Sequence, residues 1–377
     1  MRAQLGLLVV GLLALFGVTA QPQVALSAQL GDVNCDGAVN STDAALVLQF
    51  SAGLISTLPC QVAADVSGDG SINAIDATLI LQLSAGLIEA PSTSGRPLQI
   101  HHIDVEQGDA ALIISPGGEV VMIDDGRWTN CSNTVTYLQS VGIGEIDYHF
   151  ASHYHGDAIG CLDDLAAAGI AVEGACYDRG TVYNSSSYND YVATCGERRQ
   201  TLSQGQVITL DQGSATPVTI TVIALNGAGQ PTSDENALSL VLRLTYGAFD
   251  EVFAGDLTGD IPDIESVVAP QVGDVEVYKV SNHGSRLSSN ETWLDTTAPE
   301  VAIISVGFNT VGHPEEETLR RLHDRQVRTY WTNEGSGAAP DPTLDRVGGT
   351  IVIEALPGVG QEFTVSGDNF THRFRSQ

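Results

Sequence analysis

The chain has 377 residues, of which 43% are hydrophobic, enough to pack one large domain and a small one. Asp and Glu number 46 against 16 Lys and Arg, a formal charge of −30, and Lys279 is the sole lysine. Such a surface repels polyphosphate backbones and anionic lipid, which argues against binding of duplex nucleic acid but leaves room for a pocket that cuts a small or single-stranded phosphodiester.

Arg2 precedes an uncharged apolar run over 5–18, and Val18-Thr19-Ala20 offers small residues for cleavage, so 1–20 reads as a signal peptide. The run is shorter than the ~20 residues a spanning helix needs. No later stretch replaces it, so no membrane span is expected after cleavage, and the destination is the periplasm or the exterior. Export permits disulfides, and the cysteines are even in number. Cys35 and Cys60 fall together in the N-terminal part. The pairing of Cys131, Cys161, Cys176 and Cys195 stays open.

A repeat occupies 30–90. Asp32-Val33-Asn34-Cys35-Asp36-Gly37-Ala38-Val39-Asn40-Ser41-Thr42-Asp43 recurs 33 positions later from Asp65 to Asp76. Asp32, Asn34, Asp36, Asn40 and Asp43 in the first copy, and Asp65, Ser67, Asp69, Asn73 and Asp76 in the second, put oxygens at positions 1, 3, 5, 9 and 12 around a glycine at position 6. That spacing wraps a loop around Ca2+, one ion per copy. An apolar helical stretch follows each loop, over 44–50 and 77–83. Asp in place of Glu at position 12, with no helix before the first loop, departs from an EF-hand. The pair resembles a type I dockerin, a small all-α calcium-loop domain, and the resemblance implies docking onto a cohesin-bearing protein; a calcium-stabilised spacer is the plainer alternative.

Pro91-Ser92-Thr93-Ser94-Gly95-Arg96-Pro97 is a polar linker, placing a second domain at 98–377. Strands are expected at 98–105, 110–115, 120–123, 146–152, 218–225, 239–245, 251–254, 275–280, 301–306, 329–331 and 350–354, with helices at 134–141, 161–168, 263–269 and 314–325. Strands with intervening helices suggest a layered α/β domain.

The strand at 146–152 ends in Ser152-His153-Tyr154-His155-Gly156-Asp157-Ala158-Ile159-Gly160. Histidines at i and i+2 project to one side of an extended backbone, and Asp157 adds an oxygen donor, so three metal-binding side chains converge from five residues. Ala158 stands where the fullest form of such a motif carries another His. With this stretch, the segments 104–110, Ile123-Asp124-Asp125-Gly126, Phe253-Ala254-Gly255-Asp256-Leu257, Ser281-Asn282-His283-Gly284-Ser285 and Gly312-His313-Pro314 occur in an order that resembles the metallo-β-lactamase superfamily, and within it the branch of the competence-protein (ComEC) hydrolase domain.

The resemblance implies an αββα sandwich and a secreted hydrolase using one or two Zn2+, with Mn2+ as the alternative. Carried over by position, His153 and His155 would hold one metal, Asp157 and His283 the other, and Asp256 would bridge. Asp124 would brace the motif loop, and Asn236 would sit where relatives place a third histidine. His313 would face a substrate oxygen at the rim. Asp109 reads either as a turn residue or as a contact to the site. Ala158, and Asn282 in place of a frequent His, leave the second metal fewer ligands, so it is expected to be labile. The expected reaction is metal-assisted hydrolysis of a phosphodiester, in which the cation lowers the pKa of a bound water toward ~7, Asp157 orients the attack and His313 assists the leaving oxygen. Hydrolysis of an ester or lactone, or a catalytically reduced scaffold tethered through the calcium module, are the alternatives.

Overall fold

The computed structural model describes residues 30–67, 71–88, 96–356 and 361–376. The expected signal peptide, Asp69 of the second calcium loop and linker residues 91–95 lie outside the described residues.

In the N-terminal part each loop feeds an eleven-residue helix, α1 (Ser41–Ser51) and α2 (Ala74–Ser84). The start of each helix is written in the repeat. Asn40 and Asn73 accept backbone N–H bonds as N-caps, and Asp43 and Asp76 reach back to complete a capping box at each. The position-12 acids therefore also tie the loop to the helix: Asp43 accepts from Val33 N at 3.0 Å and from Asn40 N at 2.8 Å, and Asp76 from Ser67 N at 2.8 Å and Asn73 N at 2.9 Å. Val33, Val47, Ala64, Val66 and Ile80 form a small core between the two copies. The Cys35–Cys60 disulfide closes it, as expected.

The larger part is built on two sheets. Strands β1 (Leu98–His102), β2 (Ala110–Ile114), β3 (Val120–Asp125), β4 (Glu145–Phe150), β5 (Ala171–Asp178) and β6 (Arg199–Thr201) belong to the first. Strands β7 (Val207–Leu210), β8 (Val218–Ala224), β9 (Val241–Tyr246), β10 (Phe249–Phe253), β11 (Val277–Lys279), β12 (Val301–Ile304), β13 (Arg328–Trp331) and β14 (Asp345–Val347) make the second. Strands β15 (Ile351–Ala355), β16 (Glu362–Gly367) and β17 (Phe370–Arg375) return to the first, giving the orders β17-β16-β15-β1-β2-β3-β4-β5-β6 and β14-β13-β12-β11-β10-β9-β8-β7.

Alternation fixes which face of each strand is inside. Val218, Ile220 and Val222 of β8, Leu98 and Ile100 of β1, and Ile351 and Ile353 of β15 meet in one core between the sheets. The outer face of the first sheet is covered by α3 (Cys131–Ser140), α4 (Leu162–Ala167) and α5 (Ser186–Cys195), and that of the second by α6 (Glu265–Val272), α7 (Glu291–Thr297) and α8 (Glu316–His323). This is the expected αββα sandwich.

The helices enter as crossovers between parallel strands. From β3 to β6 and from β10 to β14 the pairing is parallel, and the remaining pairs are antiparallel. In α/β sheets the carboxyl ends of parallel strands are where loops gather and ligands bind. The ends of β3, β4, β10, β11 and β12 meet along one edge here.

Several boundaries are shorter than the sequence suggests. The strand expected over 98–105 stops at His102, because Gly108 turns the chain back with φ +152°, and a Cβ there would lie 2.6 Å from the carbonyl oxygen of Asp157. The strand expected over 146–152 ends at Phe150, which frees Ser152 to His155 to turn into the edge. The Cys131–Cys161 bridge joins the start of α3 to the N-cap of α4, and Cys176–Cys195 joins β5 to the end of α5. Bridges closing loops of this size add about 3 to 4 kcal/mol each by restricting the unfolded chain.

Candidate metal centre

The motif loop is held at its base by two adjacent aspartates at the end of β3. Asp124, in the left-handed region at φ +60°, accepts a hydrogen bond from Ser152 N at 2.8 Å. Asp125 points the other way, accepting from Cys161 N at 2.6 Å and pairing with His149 Nε2 at 2.9 Å, so it grips both ends of the same loop. Burial, reinforced by Asp109, pushes the Asp124 carboxyl well up.

A third carboxylate braces the middle of the loop. Glu235 accepts from Tyr154 N at 2.9 Å and pairs with Arg179 at 2.5 Å. The Arg179 guanidinium lies 4.2 Å over the Tyr154 ring. Tyr154 is thus pinned inward, and its neighbours His153 and His155 turn to the opposite side, as the alternation of an extended chain requires.

His153 is buried, its Nδ1 lies 3.0 Å from Ser152 Oγ, and its Nε2 faces Asp256 Oδ2 at 3.6 Å. The His155 ring stands edge-on to it with centroids 4.9 Å apart. Asp256 follows β10 and is held by its backbone N–H on Ser239 Oγ at 3.2 Å. His283 follows β11 in the left-handed region at φ +53°, as does Asn282 at +51°, a conformation that a non-glycine residue adopts only when its surroundings impose it.

The two nitrogens of His283 have separate surroundings. Nδ1 lies 2.9 Å from the Ser305 carbonyl, which fixes it as the N–H, and Nε2 faces Asp157 at 3.7 Å and Asp256 at 3.8 Å. A backbone carbonyl behind one nitrogen with the other turned into a carboxylate cluster is the tautomer a metal ligand needs.

Donor atoms of His153, His155 and Asp256 lie within 4.8 Å of one another, as do those of Asp109, Asp256 and His283, so Asp256 belongs to both groups. Asp109 meets the Nδ1 side of His283 at 3.6 Å and pairs with Lys279 Nζ at 2.7 Å. It therefore backs the imidazole, neutralised by the only lysine in the chain, while Asp157 shares the Nε2 side with Asp256.

Among the buried side-chain atoms without a hydrogen-bond partner are His153 Nε2 and Asp256 Oδ1. Orphaned polar atoms in one buried cluster are costly unless something binds them, and borderline imidazole with hard carboxylate suits a divalent transition metal. Burial disfavours charge on both histidines. For His153 it prevails and lowers the pKa; for His283 the carboxylates of Asp109, Asp256 and Asp157 outweigh it and raise the pKa to about 10. Asp157 is held below the ordinary carboxylate range, because His283 overcomes its own burial. A cation held by His283 Nε2 would take the place of that proton.

His313 lies at the rim, its ring centroid 6.3 Å from that of His283, and burial followed by the His283 charge lowers its pKa. Asn309 shapes its loop, its Oδ1 accepting from the N–H groups of Val311, Gly312 and His313, at 2.8 Å for Gly312. Ala158 is buried and joins Ile159 and Leu162 in the outer core next to the motif loop. Asn236 is not among the residues that line the cleft over the histidines.

Spacing within the chain had pointed to the histidines and to Asp157. The sequence reading missed Asp125 with His149, Glu235 with Arg179, Lys279 with Asp109, and Asn309. The paired aspartates at a strand end and the lone lysine in an apolar strand were the visible signals for two of these.

The αββα sandwich, with histidines and carboxylates gathered on loops at one sheet edge, resembles the metallo-β-lactamase fold, and the stretch that precedes it resembles a dockerin module. The dockerin type I domain model matches residues 30–83. The chain is 25% identical over 254 residues to ComE operon protein 3 of Bacillus subtilis, covering 63% of this chain and 32% of that protein. It is 26% identical over 231 residues to Recombination protein 2 of Haemophilus influenzae, covering 60% and 26% respectively. It thus spans about a third or less of the length of these curated relatives. Among solved structures, a mutant metallo-β-lactamase from Cronobacter sakazakii aligns over 52% of this chain and 80% of its own at 16% identity and a TM-score of 0.36.

Proposed function

We propose that this chain is an exported metal-dependent hydrolase that cuts a phosphodiester or a related ester and is docked through its calcium module onto a cohesin-bearing partner. The observation that carries the reading is two buried, unpartnered atoms on one cluster: His153 Nε2, which faces Asp256 Oδ2 at 3.6 Å, and Asp256 Oδ1, which faces His283 Nε2 at 3.8 Å, beside His155 and Asp157. His153, His155 and Asp256 would hold the better-defined Zn2+ or Mn2+, and Asp157 and His283, sharing Asp256, the weaker one. Bound there, such an ion supplies Lewis-acid polarisation and an activated nucleophile near neutral pH.

The chain's own groups do the positioning. Asp157, partly open to the cleft, accepts a hydrogen bond from the attacking water. His313, kept neutral by burial, donates an N–H to the leaving oxygen. Asp124, Asp125 and Glu235 keep the loop from relaxing. Among described residues, the exposed pairs Leu48 and Leu81, 45% each, and Leu54 and Leu87, 75% and 76%, repeat at the 33-residue period, which supports a two-copy docking surface on the module. The three disulfides support a destination in an oxidising compartment.

The test is a substrate panel on the full chain in calcium buffer, comparing an aryl phosphodiester, an aryl acetate and a lactone before and after stripping with phenanthroline, which spares calcium. Turnover of the diester that is lost on stripping and restored by Zn2+ or Mn2+ is expected; no metal-dependent turnover of any substrate would favour the scaffold reading, whose one support is Ala158. Asymmetry of the centre has its own prediction. Ala158→His should raise transition-metal content from about one to about two per chain, at a cost of ~1–3 kcal/mol for crowding an imidazole where a methyl packs. Unchanged metal content in a folded variant would contradict it.

A further inference from the structure

We propose that Arg127 is the anion-recognition residue of the cleft and that Trp128 and Phe308 supply its apolar walls, so that the ligand is an organic phosphate carrying a flat ring. The inference rests on the hydrolase reading, since it assigns the recognition half of the same cleft.

In a chain where acids outnumber cations nearly threefold, arginines find carboxylates readily: Arg179 pairs with Glu235, Arg199 with Asp178, Arg243 with Asp250 and Arg325 with Glu291. Arg127 has no such ion pair among the described residues, and its buried Nε has no hydrogen-bond partner. It nevertheless lines the cleft with Asp157, Asp256 and His283. A guanidinium left unneutralised beside a metal-type cluster is suited to a phosphate, whose oxygens match its fork of donors.

The walls are apolar. Trp128 is 54% exposed and Phe308 76%, and both line the cleft, whereas Trp293 and Trp331 are fully buried. Trp128 is built against the metal motif itself. A Cβ on Gly156 would fall 2.7 Å from its ring, and the Trp128 backbone N–H donates to the Gly156 carbonyl at 3.4 Å. The Arg127 guanidinium lies 4.9 Å over that ring, which sets charge and stacking surface side by side. Bases stack on aromatic faces of this kind without regard to sequence.

The test is a titration of adenosine 5′-monophosphate into the full chain loaded with calcium and zinc, read by tryptophan fluorescence. Trp128 dominates the change because the other two tryptophans are shielded. Saturable quenching is expected, with affinity weakened about tenfold or more in Arg127→Met and partly restored in Arg127→Lys, the size expected for a charge-assisted hydrogen bond. Adenosine and inorganic phosphate should each bind more weakly than the nucleotide. Metal content in Arg127→Met is measured alongside and should match the wild type, so that a collapsed site is not mistaken for lost recognition. Equal nucleotide affinity in Arg127→Met, or adenosine binding as tight as the nucleotide, would overturn the assignment. Nucleotide binding that depends on Arg127 in a protein without diesterase activity would remove the reaction and keep the recognition site; diester turnover with Arg127-independent binding would do the reverse.

Discussion

Replacing His153 with Ala should leave a folded, calcium-binding protein whose metal-dependent diester turnover is lowered by about 10³-fold or more. The magnitude follows from losing several kcal/mol of charge stabilisation at roughly 1.36 kcal/mol per decade of rate. The variant removes the most deeply buried nitrogen of the cluster, 1% exposed, and leaves Asp256 without its nearest cationic or metal-bearing neighbour. His155 is more open and touches fewer fixed groups, so His155→Ala should be milder in metal loss. Transition-metal content must fall with activity. Wild-type metal content with lost activity would place the ion elsewhere, and wild-type activity would remove the centre from the account.

Removing calcium should unfold the N-terminal module and leave the sandwich intact. Both helices are eleven residues long, below the ~12–15 at which isolated helices become marginal, and their shared core is small. Asp32, Asp43 and Asp76 are buried, each 0–1% exposed, so the loops concentrate negative charge that a bound cation would offset. Two sites, each with calcium at a hundredfold excess over Kd, contribute ~5 kcal/mol together, comparable to the whole stability of a module this size. In EGTA, helical circular dichroism from this part should fall and proteolysis should begin within 30–88, while a fragment beginning near Leu98 persists. The Cys35–Cys60 bridge limits how far the chain opens, and calcium should restore it. Unchanged circular dichroism and protease resistance in chelator would contradict the calcium assignment.

Features set by near neighbours were legible in the sequence. The calcium-loop spacing and the His153-to-Asp157 cluster both depend on residues a few positions apart. Strands with clear alternation, such as β8 with Val218, Ile220 and Val222, were equally plain. β5 was not, because Ala171-Val172-Glu173-Gly174-Ala175-Cys176-Tyr177-Asp178 has weak strand propensity and exists as a strand through parallel pairing with β4. β16 and β17 did carry a signal, Phe363 and Val365 alternating with polar residues, that the reading over 350–354 left unused. Helix α5 is weakly apolar and rests on the Ser185 cap and the Cys176–Cys195 bridge. In the site, what escaped was carried by partners far apart in the chain: Glu235 meets Arg179 across 56 residues, and Lys279 meets Asp109 across two sheets. Charge in such positions acquires meaning only once the fold brings its partner within reach.

The central claim is that a transition metal sits between His153, His155 and Asp256. Anomalous diffraction at the zinc edge from crystals of the full chain grown with Zn2+ and Ca2+ tests it most directly. A peak about 2.0–2.1 Å from His153 Nε2, shared with His155 and Asp256, is expected, with a weaker one beside His283 and Asp157. An empty cluster with zinc bound only at the surface would contradict it.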